Sequence, residues 1–274
     1  MFAIAMLFRL ASWVFLKKMR EPAYIWDEEK GVSFLGFVRK ARKTNFGHFV
    51  LFIGIMNFSV FVAAPFFAPY MLERLGFNYL LYTVINAAAT LATILTMKRW
   101  GVNSDIFGNR KVLGLTAGLI AIVPSLWVFS TDPLYLIAIQ LFSGIAWAGF
   151  TLATANFVYD SVEPSKLAKY FAYQNVIIGA MVVLGAITGS LILGNIRQPF
   201  FGSNYLFLFT VSSALRLCTA FIFVRKIGEV RKVQPITKRL LAFKIVSVRP
   251  VHGIIHEAVV IRNKIPWLKT KAKS

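Results

Sequence analysis

Long stretches without a charged residue alternate with short basic segments along this chain. The uncharged runs cover 49–72, 79–97, 112–130, 134–159 and 170–196; a sixth, 205–224, is broken only by Arg216. A helix needs roughly 20 apolar residues to cross the hydrocarbon core of a bilayer. The runs meet that length and show no period-two alternation, which a membrane β-strand of about ten residues would require. The pattern predicts an all-α transmembrane protein with six full crossings. A shorter apolar run, residues 1–16, carries Arg9 and precedes Lys17 and Lys18, so it is read as a partial transmembrane helix.

Composition strengthens the membrane reading. Hydrophobic residues make up 57% of the 274 positions and charged residues only 15%, with a mean hydropathy of +0.65. Soluble domains hold about 45–50% apolar and about 25% charged residues, so one soluble core of this size cannot bury this much apolar surface. Cys218 is the single cysteine, which excludes an internal disulfide and a cysteine-rich metal site. The opening MFAIAMLFRL lacks a basic leader region, so no cleaved signal peptide is expected.

The net charge of +20 raises nucleic acid as a partner, but the cations lie between and after apolar runs rather than along one face, which argues for lipid instead. Residues 17–48, 98–111, 163–169 and those from Arg225 onward carry 27 Lys and Arg; the opposite loops hold only Arg74 and Arg197. Cytoplasmic loops carry the excess of Lys and Arg. The basic set and the C-terminus are therefore expected in the cytoplasm, with the protein in the plasma membrane.

Four regions follow. Residues 1–16 form the partial helix, 17–48 a cytoplasmic connector, 49–227 a six-helix transmembrane domain, and 228–274 a basic cytoplasmic tail with His252 and His256. Within the connector, residues 33–45 read as a short basic amphipathic helix on the membrane surface. The run FRLASWVFLKKM near the start echoes LRLCTAFIFVRKI at the end of the sixth helix, each with Arg-Leu, a small pair, an apolar stretch and a basic pair. One reading is that any helix entering the cytoplasm ends this way. The other is that each segment closes a six-helix repeat, as in many transporters, with residues 1–16 the remnant of an absent first half.

Between the second and third runs stands GVNSDIFGNRK, residues 101–111. Glycines permit a tight turn, an aspartate can accept hydrogen bonds at a helix N-terminus, and two cations can pair with acids. The loop resembles the signature loop of the major facilitator superfamily: Gly101, Asp105, Gly108, Arg110 and Lys111 match, while Ile106 stands where the family often has a cation. Residues 143–176 and 46–79 also resemble segments of bacterial or archaeal members, and the likeness covers about residues 1–226. It implies the C-terminal half of the major facilitator fold, from the end of helix six through helix twelve: a six-helix bundle preceded by a partial helix.

The resemblance also implies roles. Asp160 resembles the family's acidic residue that pairs with the loop's cations, here Arg110 or Lys111, as a gate latch; its other reading is a solvated helix-end carboxylate. Polar groups inside a bilayer are costly and usually face a bundle interior or water. Candidates are Asn57, Asn86, Gln140, Trp147, Asn156, Gln174 and Asn175. The family's cavity-forming helices single out Asn57, Trp147, Asn156 and Asn175 as a possible substrate cavity, against the alternatives of helix-to-helix glue for the amides and core packing for Trp147. Arg216 is read as bonding backbone carbonyls near a helix bend, with substrate-anion contact as the second reading. Gly185 and Gly189 suggest close packing, and Pro65, Pro69 and Pro124 suggest bends.

No P-loop, HExxH or GxSxG motif is present, so no enzyme, cofactor or metal is expected. The function expected is secondary transport of an unidentified small solute by alternating access, partnered by an N-terminal half or by a second copy in a homodimer. The alternative is a non-transporting truncated or scaffold membrane protein that acts only with a partner half.

Overall fold

A computed structural model describes residues 2–18, 33–41, 43–196 and 202–230. The chain divides into two compact units, Met1–Ser33 and Phe34–Ser274. In the first, α1 (Phe2–Lys17) is a 16-residue helix on which the Lys17 ammonium lies 5.5 Å from the Trp13 ring centre. At 1.5 Å per residue it is about 24 Å long, short of the roughly 30 Å hydrocarbon core. The tail beyond residue 230 and the acidic part of the connector lie outside the described residues.

In the second unit the apolar runs form helices. They are α2 (Phe34–Ala41), α3 (Asn45–Phe61), α4 (Phe67–Pro69), α5 (Tyr79–Phe107), α6 (Asn109–Leu126), α7 (Pro133–Ser161), α8 (Leu167–Asn195) and α9 (Asn204–Phe223). Polar residues set the starts. The first turn of a helix has N–H groups without intrahelical partners, and Thr44, Asn78, Asp132 and Ser203 each accept one or two of them. Prolines break the regularity. After Phe61 the chain tightens into a 3-10 turn holding Pro65, passes through α4 and ends in a π turn, Tyr70–Arg74.

The described residues form an all-α membrane bundle. Five helical segments are long and apolar enough to cross a membrane: Asn45–Arg74, Tyr79–Phe107, Pro133–Ser161, Pro164–Asn195 and Asn204–Phe223. The run expected over 112–130 differs. Pro124 near its end lets α6 stop at Leu126 and pass into turns, and the first turn of α6 is spent on Arg110 and Lys111. Its apolar stretch measures about 22 Å. It lies between α7 and α9, packed against both.

Neighbouring helices follow the lateral order α5, α7, α6, α9, α3, α8. Glycines let the outer pairs approach. A Cβ on Gly144 or Gly149 of α7 would overlap Ala89 or Trp100 of α5. A Cβ on Gly185 or Gly189 of α8 would overlap the Phe58 or Val62 carbonyl, which is the small-residue packing that membrane helices use when lipid offers no hydrophobic drive. The α5–α7 seam is also bonded: Thr93 Oγ1 donates to the Gly144 carbonyl at 3.0 Å and the Trp100 indole to the Ile145 carbonyl at 2.8 Å.

The amphipathic α2 docks on protein rather than lying wholly in the lipid surface. Its Phe37 is buried against Phe46 and Tyr170, and Ala41 against Gly47, while Leu35 and Val38 stay exposed.

Candidate functional site: a polar rim and a bundle cavity

The ends of α5, α7 and α9 and the starts of α3 and α6 meet at one end of the bundle, where the loop 101–111 lies. Gly101 and Asp105 are both inside α5, and only Gly108, at φ +94°, occupies the left-handed region that favours glycine. One glycine therefore makes the turn, and a Cβ on Gly101 would make an ordinary contact with Leu152. Asp105 is exposed.

The residue between Gly108 and Arg110 holds the rim together. Asn109 is fully buried; its Oδ1 accepts a hydrogen bond from Ser104 Oγ, and its Nδ2 donates to Asp160 Oδ2 at 2.6 Å. Asp160, half-buried at the end of α7, thus reaches the signature loop through an amide. A charge-assisted bond of this kind is roughly twice as strong as a neutral one. At the N-terminus of α6 stands the carboxylate of Glu229, whose Oε2 accepts the Arg110 backbone N–H at 2.9 Å. Next to it Gly228 exchanges two bonds with the Asn45 side chain, at 3.1 and 2.7 Å, fastening the segment after α9 to the start of α3. Glu229 was legible as the only acid between Glu163 and Glu257 in a basic stretch. Asn109 carried no comparable signal.

Deeper in the bundle, Arg216 on α9 is 3% exposed. Its Nη1 donates to the Ile120 carbonyl at 3.2 Å, Nη2 to Val60 at 3.3 Å, and Nε to Ser212 Oγ at 3.1 Å. The reason lies in the prolines. Ile120 would bond the amide four residues on, but that residue is Pro124, which has no N–H. Val60 precedes the point where α3 gives way to the tighter turn at Pro65. Arg216 supplies the donor that Ile120 lacks and adds a second bond to Val60, whose carbonyl also accepts the Ala63 N–H at 3.1 Å. Ser213 bonds the Ala121 carbonyl, and Ser212 the Ser59 carbonyl at 2.6 Å.

A cavity of about 240 Å³ adjoins this cluster, bounded by the α3–α4 stretch, α5, α6, α7 and α9. Its polar lining is Tyr82, Asn86, Gln140, Ser143 and Arg216, with Trp127 and Trp147 among its aromatic walls. Gln140 and Asn86 face each other at 3.5 Å.

The four residues singled out for a substrate cavity are dispersed. Trp147 lines this cavity and packs edge-on against Phe150. Asn57 is half-buried and donates back to the Ile53 carbonyl at 2.8 Å. Asn156 is half-buried on α7, four residues before Asp160 and so on the same face, and Asn175 is exposed on α8. The neighbouring Gln174 is the buried one, and its Oε1 has no partner among the described residues. No group of three His, Cys, Asp or Glu able to hold a metal occurs among the described residues.

No curated protein matches the chain. The sequence model of the Major Facilitator Superfamily matches residues 1–265. That superfamily is one of transporters rather than enzymes, and the match takes in both the rim loop and the helices around the cavity. With an all-α membrane bundle and a glycine-turned loop bonded to the end of α7, it establishes that the chain belongs to the major facilitator superfamily.

Proposed function

We propose that this bundle is one half of a facilitator-type secondary transporter in the plasma membrane, moving a small solute by alternating access, with the basic loops and C-terminal tail in the cytoplasm. The observation that carries the reading is the uneven burial of the helices. The apolar spans of α3 and α7 are 56% and 50% buried, whereas those of α5 and α8, at the two ends of the lateral order, are only 17% and 11% buried. Alternating access needs two bundles rocking about a site between them, and α5 and α8 supply faces for a second bundle. That bundle is either an N-terminal half or a second copy in parallel orientation.

On this reading Asn57, Asn156 and Asn175 face the cleft between bundles, and Trp147 leads from it into the cavity beside Arg216. The rim loop with Asp160 is the latch. Its bonds through Asn109 hold one state and break in the other. Loss of the Asp105 charge in Asp105→Asn is then expected to slow the cycle more than it lowers expression.

The test uses the full chain with Cys218 replaced by Ser and single cysteines at exposed Leu95 on α5 and Ile187 on α8. Cross-linking to a second bundle, together with saturable solute flux in liposomes only from the assembled form, is the expected result. Saturable flux from a demonstrable monomer overturns the half-transporter reading; an inert monomer favours the scaffold alternative. Orientation is checked separately by membrane-impermeant thiol labelling. Cysteines at Ser33 and Ile106 should react from the cytoplasm and those at Asn78 and Gly202 from the other side.

A further inference from the structure

The rim network closes on itself, but the cavity leaves hydrogen-bond donors unused. Arg216 has five N–H groups, and three are engaged by Ile120, Val60 and Ser212. Trp127, Trp147 and Tyr82 also line the cavity, and their indole N–H and phenol groups are further hydrogen-bond donors. Trp127 is 1% exposed, so water reaches it only through the cavity. No carboxylate lines the cavity. A buried cation is stable when paired, yet the acceptors at Arg216 are two carbonyls and a hydroxyl, all uncharged. A buried cation with spare N–H groups and no counter-ion, in a cavity lined by further donors, specifies the missing group: an anion that accepts several hydrogen bonds.

We infer that the cavity beside Arg216 binds a small carboxylate with an aromatic or apolar body. The carboxylate takes the free guanidinium N–H groups and the indole donors. The body lies against Phe67, Met71, Val123 and the two tryptophan rings, which form the apolar part of the wall. Asn86 and Gln140 carry acceptors as well as donors and suit a polar substituent on that body. A carboxylate that enters cancels the buried positive charge, so the site selects against cations by repulsion and against neutral isosteres by leaving the charge uncompensated. Arg216 keeps its structural role throughout, because the bonds to Ile120 and Val60 use different N–H groups. The inference names the substrate class of the transport site proposed above and rests on that reading for its physiological meaning. Binding itself is measured without it.

The experiment is a tryptophan-fluorescence titration of the full chain, purified in a neutral detergent, with benzoate as probe and benzamide and benzylamine as its neutral and cationic counterparts. Trp127 and Trp147 report directly from the wall. The expected result is a saturable change with benzoate and none with the other two. Arg216→Lys is expected to weaken benzoate, because a point charge cannot reproduce the forked donor set. Should that variant fail to fold, Gln140→Glu keeps Arg216 in place and puts a resident carboxylate on the cavity wall. It is expected to lower benzoate affinity by about tenfold or more through like-charge repulsion while raising thermal stability. Benzamide binding as well as benzoate, or full benzoate binding by Gln140→Glu, overturns the assignment. Flux of another solute without benzoate binding removes this inference and leaves the transport reading standing; benzoate binding without any flux does the reverse.

Discussion

The rim and the Arg216 cluster are both polar, both contact several helices, and are built on opposite principles. At the rim, Asn109, Asp160 and Glu229 make bonds between a helix end and a side chain, and Asp160 and Arg110 are only half-buried. Water can replace each partner when the helix ends separate, so breaking the rim costs little beyond the bond itself. Around Arg216 the acceptors are a hydroxyl and two carbonyls, of which Ile120 has lost its own N–H partner to Pro124 while Val60 keeps the Ala63 N–H at 3.1 Å. Breaking that cluster leaves the buried Ile120 acceptor orphaned. One set of polar contacts suits a switch, and the other suits a fixed pivot.

The largest effect should come from the pivot. Arg216→Met orphans the Ile120 carbonyl and removes the bonds to Val60 and Ser212, and is expected to cost about 2–4 kcal/mol, since a buried unsatisfied group costs about 1–3 kcal/mol and each further bond contributes about 0.5–1.5 kcal/mol. Thermal unfolding in detergent measures it. A loss no greater than that of a rim variant would erase the distinction. Gly189→Leu comes next. Its side chain would have to occupy the position of the Val62 carbonyl and part of the Phe66 ring, so α8 must move off α3 at about 1–3 kcal/mol, the usual cost of overpacking. A proteolysis or unfolding assay in which α8 loosens while the α5–α7 seam stays intact would place that damage on one side of the pivot.

Rim variants should be milder and should act on conformation. Asn109→Leu removes the bonds to Ser104 and Asp160 and is expected to cost about 1–2 kcal/mol. Its sharper signature is accessibility. Ser104 is fully buried, and a cysteine there should react with aqueous thiol reagents faster once Asn109 is gone. Unchanged labelling would mean that the rim does not hold the helix ends closed. The smallest effect belongs to Glu163. Its hydrogen bond to Lys166, 2.8 Å long, and the attraction of that ammonium hold its carboxyl below the ordinary range, in a pair at the protein surface. Such a depressed group adds stability above its ordinary pKa and loses it as pH falls through the lowered value. Because the pair is exposed, Glu163→Gln should leave the melting temperature and its acid dependence unchanged within error; a clear acid shift would make the loop part of the rim network.

Much of the fold was written in one dimension. Uncharged runs between basic segments located the helices, because bilayer thickness sets their length and hydrogen bonding in lipid leaves helices as the way to pair their backbone. Gly185 and Gly189 announced close packing, and Arg216, a lone cation inside an uncharged run, announced carbonyls in need of donors. The shortness of α6 was half-visible, in Pro124 and in the Arg110–Lys111 pair that takes up its first turn.

The tertiary structure alone decided which polar residues meet. Asn57, Asn156 and Asn175 carry the same carboxamide as Asn86 and Gln140, yet only the latter pair lines the cavity, because rotation about each helix axis and the lateral order of helices determine what a side chain faces. Asn109 and Glu229 lie 120 positions apart in sequence and come together at the start of α6 because α3, α6 and α9 pack side by side. Hydropathy is a local property that one residue carries with it. A hydrogen bond between helices depends on two distant residues and on the packing between them, and no pattern along a single chain records that packing.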